Sequence, residues 1–415
     1  VLFVGHGAER TGPPIGLLHL LRWIRAHTDL DFEVLLLEGG DLLPEYEALA
    51  PVTVLHESRQ PRLAVLGRTA AERAGTEGLG ERLRVAAYRR RLRHLTGFRT
   101  VYVNSAWCIR ALPYLPDDDH QVVAAVHELS VGLDYHLDER HRRLLLERPD
   151  HYLVVSGAVW RNMVEHHGID PAKVSLHHEM IEVVAEPATP SGHEGPAVVG
   201  ASGLLRWRKG PDLFLAVAAR VHRLRPDLDV RWRWIGGLAD DPDPKAVRHD
   251  RDAAGLTDVV ELVGHVSDPI AHYRALDVLL LTSREDAYPL VCLEAASVGV
   301  PVVTFVNGGM PEMVDGRVDA LGDPRDPPPE VTGDPAGFVV DYPDVAAMAE
   351  HVVELLDDAA LRRRLGATGA ARVRRWHAVE VAAPRLVEDL APWLGAHRTD
   401  LTDLTDRTDL AGGSR

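Results

Sequence analysis

Short apolar runs recur along the chain, each followed by a longer stretch whose apolar positions fall every three or four residues. Val1–Val4, Phe32–Leu37, Thr100–Val103, Val122–Val126 and Tyr152–Val155 are runs of the first kind, and Ile15–His27 is a clear stretch of the second. Continuous apolar runs read as strands buried on both faces; the longer period reads as amphipathic helix. Their alternation predicts a parallel sheet covered by helices on both sides. The pattern stops at 186–196, which is dense in Pro and Gly and reads as a linker. It then restarts. Ala197–Val199, Val230–Gly237, Val259–Val263, Asp277–Leu281, Val300–Phe305 and Gly337–Val340 read as strands, and Asp212–Leu224, Val345–Leu356 and Leu361–Trp376 as helices. The expected fold class is α/β, with two Rossmann-like, doubly wound parallel-sheet domains facing a central cleft. Residues 1–185 form the first, 197–375 the second. A helix over 376–396 is able to cross back to the first domain, and 397–415, which repeats Thr-Asp-Leu, reads as a disordered tail.

Composition narrows the function. The chain has 415 residues and a net charge of −16. That balance disfavours nucleic acid, whose binding draws on clustered positive charge. No run approaches the length of a transmembrane helix, and the start lacks the basic region of a secretory leader. Two cysteines, Cys108 and Cys292, exclude a disulfide framework and fit a reducing cytoplasm. Lysine occurs only at 173, 209 and 245 among abundant arginine, so each lysine merits inspection.

Ligands of doubly wound sheets bind beyond the carboxyl ends of the strands, so polar groups just after strands are the candidates. The densest set runs from Leu281 to Glu294. Pro289 suits a helix start, which leaves the backbone N–H groups of Leu290 and Val291 for an anion. Asp286 and Glu294, eight residues apart, are placed to span an extended ligand; the plainer alternative is that Asp286 caps the helix and Glu294 is solvated. A second set, Val199–Asp212, sets Arg208 and Lys209 beside glycines between a strand and a helix, the profile of a phosphate site. The third is His127 at the end of Val122–Val126, either a ligand to a substrate hydroxyl or a capping histidine. The fourth is the loop at Gly12, which lacks dinucleotide-binding glycine spacing. His177-His178 has the wrong spacing for a metal pair on one helix face, and no metal is expected. Asp29-Leu30-Asp31 and Asp227-Leu228-Asp229 precede strands and read as solvated.

Taken together these residues resemble the family-4 retaining glycosyltransferases, of the GT-B fold. The most specific match is Ser283–Val303, with its acidic-x7-Glu spacing and Glu-Ala-x-x-x-Gly-x-Pro-Val-Val continuation. Trp207-Arg208-Lys209-Gly210, Val263-Gly264-His265-Val266, Gly308-Gly309-Met310-Pro311-Glu312, Thr11-Gly12-Pro13-Pro14, Asn104-Ser105, His127-Glu128 and Ser156-Gly157-Ala158 match as well. The resemblance implies that Arg208 and Lys209, with the N–H groups of Leu290 and Val291, hold a donor diphosphate. It implies that Glu294 binds the ribose, that Asp286 contacts the transferred sugar and that His127 sits beside it. The loop at Gly12 would lie under the diphosphate or border the acceptor, and Gly264, His265 and Val266 would flank the base. Two departures stand out: Leu204 follows Gly203 where the family often has Arg, so that Arg206 or Arg208 would compensate, and Asp286 stands where Glu is usual.

The implied activity is transfer of a sugar from a nucleotide-diphosphate sugar to a hydroxyl acceptor, with no obligatory cofactor. The acceptor could be a glycan, a lipid-linked sugar or a small molecule. The alternatives are an epimerase or phosphorylase on the same fold, and a non-catalytic nucleotide-sugar-binding protein. A cytoplasmic location is expected. Arginines 82, 84, 89, 90, 91 and 93 within Glu81–Thr96 form a basic helix, able to touch anionic membrane at the inner face or to remain solvated.

Overall fold

The computed structural model describes residues 1–56, 77–116, 119–183, 195–237, 244–316 and 335–395. Most of the linker at 186–196 and the tail at 397–415 lie outside the described residues.

Among the described residues, two separate parallel sheets are present. The first has seven strands: β1 (Leu2–Gly5), β2 (Glu33–Leu36), β3 (Val52–Val54), β4 (Thr100–Asn104), β5 (Gln121–Val126), β6 (His151–Val154) and β7 (Val174–Leu176). Their order is β3-β2-β1-β4-β5-β6-β7. The second has six: β8 (Ala197–Ser202), β9 (Val230–Ile235), β10 (Val260–Gly264), β11 (Val278–Leu281), β12 (Val302–Phe305) and β13 (Gly337–Val340), in the order β10-β9-β8-β11-β12-β13. The expectation of two doubly wound sheets therefore holds. Both sheets reverse winding once, between β1 and β4 and between β8 and β11. Those two switch points are where loops diverge and leave a crevice.

The strands form because their sequences suit burial. β5 reads Gln-Val-Val-Ala-Ala-Val, buried at every position but the first. β9 alternates instead: Trp232 and Trp234 are buried against Phe214, while Arg231 and Arg233 face outward. Arg233 meets Glu261 of β10 at 3.0 Å. The edge strands β3 and β7 are only three residues long. Neither carries enough apolar residues to stand out from a loop in the sequence.

The helix Gly12–His27 opens with prolines in its first turn and buries Leu17, Leu18, Leu20, Leu21 and Ile24. Part of its cover comes from the far end of the chain. The last helix, Val379–Leu394, buries Val379, Ala383, Leu386, Val387, Leu390 and Leu394 in the same cluster. Thr100 Oγ1 donates to Trp393 O at 2.5 Å, and the His151 and Trp393 rings stack at 4.0 Å. A C-terminal helix thus completes the core of the N-terminal sheet. Burying a large apolar side chain is worth about 1.5–3 kcal/mol, so this return crossing ties the two halves together.

The basic helix spans Glu77–Arg91. Tyr88 is fully buried, with its ring 4.7 Å from that of Tyr114. Several of its arginines serve the protein itself: Arg84 pairs with Glu81, Arg89 donates to Pro113 O and Arg91 to Val54 O. Among the described residues no helix is long and apolar enough to cross a membrane.

Candidate active site

The loops after β8 and β11 meet at the switch point of the second sheet. Trp207–Lys209 is one turn of 3-10 helix, ended by Gly210 in the left-handed region at φ 68°. A Cβ at Gly210 would lie 2.1 Å from Thr282 O, so glycine is required by both conformation and space. Thr282 Oγ1 donates to Gly210 O at 2.8 Å. Arg284 clamps the same loop, donating to Trp207 O at 2.7 Å and to both carboxylate oxygens of Asp212 at 2.9 and 2.6 Å. Such a bidentate pair fixes geometry as well as charge.

That clamp sets Lys209 against Asp286. Lys209 Nζ donates to Asp286 Oδ2 at 2.5 Å, and Ser283 Oγ donates to the same oxygen at 3.0 Å. Arg208 donates to Glu285 O at 2.8 Å and reaches Asp286 Oδ1 at 3.5 Å. Asp286 is only 7% exposed. Burial alone would push its carboxyl up, but the Lys209 and Arg208 charges outweigh burial and hold it below the usual carboxylate range. Asp286 therefore does not cap the following helix; it is locked into the cationic cluster, with Oδ1 the less occupied oxygen. Gly308 permits this, since a Cβ there would lie 1.6 Å from Asp286 O and its φ is 61°. Of the two arginines that could stand in for the missing one near Gly203, Arg208 is the one turned toward Asp286.

The helix Leu290–Ser297 begins at Pro289, and no side chain caps it. The first N–H groups of a helix have no intrahelical partner, so those of Leu290 and Val291 point out of its start. Across the cleft lies Gly12, where an added Cβ would be 3.9 Å from Leu290 Cδ1. Two helix N-termini, one from each domain, thus face one another.

Glu294, further along the same helix, is half-buried. Burial holds its carboxyl above the usual range, against a hydrogen bond from Tyr273 that pulls it down. Tyr273 Oη also lies 3.0 Å from Ser202 Oγ at the end of β8. Gly264, in the left-handed region, closes β10 and accepts from Gly236 N at 2.8 Å. His265 is exposed and Val266 half-buried. They lead into the helix Pro269–Arg274 that carries Tyr273.

His127 is neither a cap nor solvated. Its Nδ1 lies 2.6 Å from Glu179 Oε1 and its Nε2 3.4 Å from Asn104 Oδ1. The Asn104 amide is oriented by its own donation to Pro13 O at 2.9 Å, next to Gly12. Both ring nitrogens therefore face acceptors. Burial pushes the imidazole pKa down, yet the Glu179 charge and hydrogen bond, with Glu128 behind them, leave it raised. His6 nearby is driven the other way by burial, to about 4. Glu128 itself accepts from Ser105 Oγ at 2.7 Å and from Ala106 N and His127 N, and so shapes the loop.

The sequence assigns no role to three carboxylates that the fold uses: Glu285 and Glu312 lie within segments singled out above, and Glu179 does not. Glu179 lies in a segment without motif or period. Glu285 accepts from Val131 N and Gly132 N, both at 2.9 Å, at the start of a first-domain helix, Ser130–His136. Glu312 accepts from Gly157 N at 2.9 Å and pairs with His178 Nε2 at 2.7 Å. These last two reach from the second domain onto helix starts in the first, a favourable place for a carboxylate. His177 and His178 serve different carboxylates, His177 pairing with Asp389.

Known proteins resemble this chain in sequence and in fold. Residues 196–358 match the family of glycosyl transferases group 1. A D-inositol 3-phosphate glycosyltransferase of Kineococcus radiotolerans is 27% identical over 275 residues, covering 61% of this chain and 61% of the relative. A lipopolysaccharide core biosynthesis mannosyltransferase, LpsB, of Rhizobium meliloti is 27% identical over 58% of this chain and 65% of its own length. The chain thus spans less than two thirds of the length of these curated relatives. Among solved structures, Alr3699/HepE of Anabaena in complex with UDP and glucose superposes with a TM-score of 0.72 at 18% identity, covering 94% of this chain and 98% of that one. Sucrose-phosphate synthase of Thermosynechococcus elongatus gives 0.67 at 17% identity, over 95% and 100%. The chain therefore has the GT-B fold, and residues 196–358 of its second domain match the glycosyl transferases group 1 family.

Proposed function

We propose that the protein is a retaining glycosyltransferase that moves a sugar from a nucleotide-diphosphate sugar to a hydroxyl acceptor, without an obligatory metal. The observation that carries this reading is the Lys209–Asp286–Arg208 cluster at the switch point, beside the uncapped helix start at Leu290 and Val291. Departure of a nucleoside diphosphate builds negative charge on its outer phosphate. Lys209 and Arg208 against Asp286 leave one net positive charge there, and the helix terminus adds N–H donors. These groups are fixed before reaction, which is the condition for stabilising a transition state. They do the work a divalent cation does elsewhere. Asp286 Oδ1 accepts from a sugar hydroxyl, His127 sits beside the sugar, and Glu294 accepts from the ribose hydroxyls. The acceptor attacks from the face the diphosphate leaves, so its proton passes to the departing phosphate oxygen and no enzyme nucleophile is needed. Gly264, His265 and Val266 border the base.

The Anabaena neighbour's complex with UDP and glucose makes a uridine diphosphate sugar the first donor to test. The activities of the relatives favour a hydroxyl of a phosphorylated polyol or a surface glycan as acceptor. In a thermal-shift panel of uridine, guanosine, adenosine and thymidine diphosphates, one nucleotide is expected to stabilise the protein by ~2.7 kcal/mol at 100 times its dissociation constant. Mg²⁺ is expected to add nothing, and Glu294→Ala to abolish the gain. Binding should also weaken on acidification, from above the ordinary glutamate range, because burial raises the Glu294 carboxyl. Stabilisation by no nucleotide would remove the donor site. Binding without turnover on any acceptor would make the non-catalytic reading the better one.

Peripheral contact with anionic lipid would rest on Arg82, Arg90 and Arg93, which are exposed on the basic helix and the turn after it. Co-sedimentation with anionic vesicles at low salt is the check, and no binding there ends that idea.

A further inference from the structure

Glu179 orients His127, yet residues 177–180 form neither helix nor strand. What holds Glu179 comes from the far end of the chain. Between the helix Ala359–Trp376 and the last helix, the backbone crosses back beside this segment. Ile181 N donates to His377 O at 2.8 Å, and Val379 N donates to Ile181 O at 3.1 Å. The His377 side chain adds a third tie. Its Nδ1 lies 3.0 Å from Glu179 O, and its Nε2 lies 3.3 Å from Tyr288 Oη. His377 is only 3% exposed.

We propose that His377 is a positioning residue for the Glu179–His127 pair: its Nδ1–H fixes the main chain of Glu179, while Tyr288 of the second domain fixes its ring.

The proton positions follow from the partners. A carbonyl oxygen only accepts, so Nδ1 carries the ring proton. Burial pushes the His377 imidazole down to about 3, with His178 and Arg372 acting in the same sense. The ring is therefore neutral, and its Nε2 is an acceptor. Burial also holds the Tyr288 hydroxyl protonated, so it donates to Nε2. One tautomer satisfies both contacts. The result is a hydrogen-bonded chain, His127–Glu179–His377–Tyr288, with steps of 2.6, 3.0 and 3.3 Å. Tyr288 stands two residues after Asp286. The chain thus sets the first-domain imidazole in register with the loop that carries Asp286. A buried carboxylate pairs with a ring only while it is kept at contact distance, and the Nδ1–H tie keeps it there. His377 also packs against the rings of Tyr288 and His178, at centroid distances of 5.5 and 5.7 Å. Packing and hydrogen bonding therefore need separate variants. For its bearing on catalysis the inference rests on the proposed place of His127 beside the sugar; its test does not.

That test is NMR titration of the His127 ring in the full chain. The titratable groups facing His127 are Glu179, Glu128 and His6, and all three are kept. In His377→Phe, which retains a ring, the His127 pKa is expected to fall by at least about half a pH unit, toward its value in Glu179→Gln. In His377→Asn, whose amide can donate from the Nδ1 position, it is expected to stay at the wild-type value. Tyr288→Phe is expected to lower it by less than His377→Phe does. His377→Leu removes the same donor and keeps the test decisive if the Phe variant folds poorly. The proposal is overturned if the apolar variants leave the His127 pKa unchanged while Glu179→Gln lowers it. It is equally overturned if His377→Asn lowers it as far as His377→Phe, since ring packing is then the cause. A wild-type value in Tyr288→Phe overturns the link to the second domain. Absence of nucleotide binding or transfer in the wild type would strike the donor reading and leave these results standing.

Discussion

Lys209→Ala is expected to lower glycosyl transfer at least ~100-fold and to destabilise the fold by about 3 kcal/mol. Both effects follow from the contact between Lys209 and Asp286. In catalysis, Lys209 is a prearranged donor aimed at the departing phosphate. In the resting fold it compensates a buried carboxylate, and removing one member of a buried pair leaves the other charge unpaired. Arg208 and Ser283 remain to Asp286, which places the stability loss at the lower end of the usual range. The two effects separate in the double variant Lys209→Ala with Asp286→Asn. Stability should largely return, because no buried charge is left, and activity should not. The pH dependence gives a second check. In the wild type the Asp286 carboxyl is held low. Its stabilising contribution is therefore present above the unfolded value of about 3.9 and lost as pH falls through the folded pKa. In Lys209→Ala burial gains the upper hand and the carboxyl rises. The stability gap between the two proteins should be widest near neutral pH and narrow on acidification. Turnover near that of the wild type would sink the assignment of Lys209; a gap unaffected by pH would sink the account of the pair.

Glu179→Ala is expected to destabilise the protein by up to about 3 kcal/mol near pH 6, with the loss shrinking as pH rises. Glu179 is the group that raises the pKa of the buried His127 imidazole above its ordinary value. A raised histidine pKa contributes stability in full below the unfolded value of about 6.5 and loses it as pH rises through the folded pKa. The other groups facing His127 are His6, Glu128 and Asn104; the Glu128 charge favours the charged ring, and Asn104 Oδ1 stands as an acceptor 3.4 Å from Nε2. NMR titration of the His127 ring protons, assigned by their loss in His127→Asn, measures the cause directly. The His127 pKa should drop below the ordinary imidazole value in Glu179→Ala and also in Glu179→Gln, which keeps the shape but not the charge. A His127 pKa unchanged in Glu179→Gln would mean that the carboxylate only packs against the ring.

Much of this architecture is legible in the chain. A strand buried on both faces must be apolar throughout, so β1, β5, β6 and β11 announce themselves. The edge strands β3 and β7 do not, because three residues with one partner strand need no such run. The candidate site divides in the same way. Lys209 and Asp286 each stand out as charge placed just after a strand, among residues that begin a helix. Their pairing does not stand out, since they are 77 residues apart and meet only because β8 and β11 are neighbours in the sheet. His127 is visible for the same reason as Lys209. Glu179, its partner, is not: it follows the edge strand β7, where no local pattern calls for a carboxylate.

By itself the sequence determined two parallel sheets, because periodicity and strand–helix alternation are local consequences of which faces must be dry. It also determined which loops carry cations, carboxylates and uncapped helix starts. Only the tertiary structure decided how those loops are used. It joined Lys209 to Asp286, set the His127 ring against Glu179, and laid Glu285 and Glu312 across the cleft onto helices of the other domain. It returned the last helix to cover the first. Each of these is a contact between residues far apart in the chain. Burial and charge reward such contacts only after the backbone has brought the partners within a few ångströms.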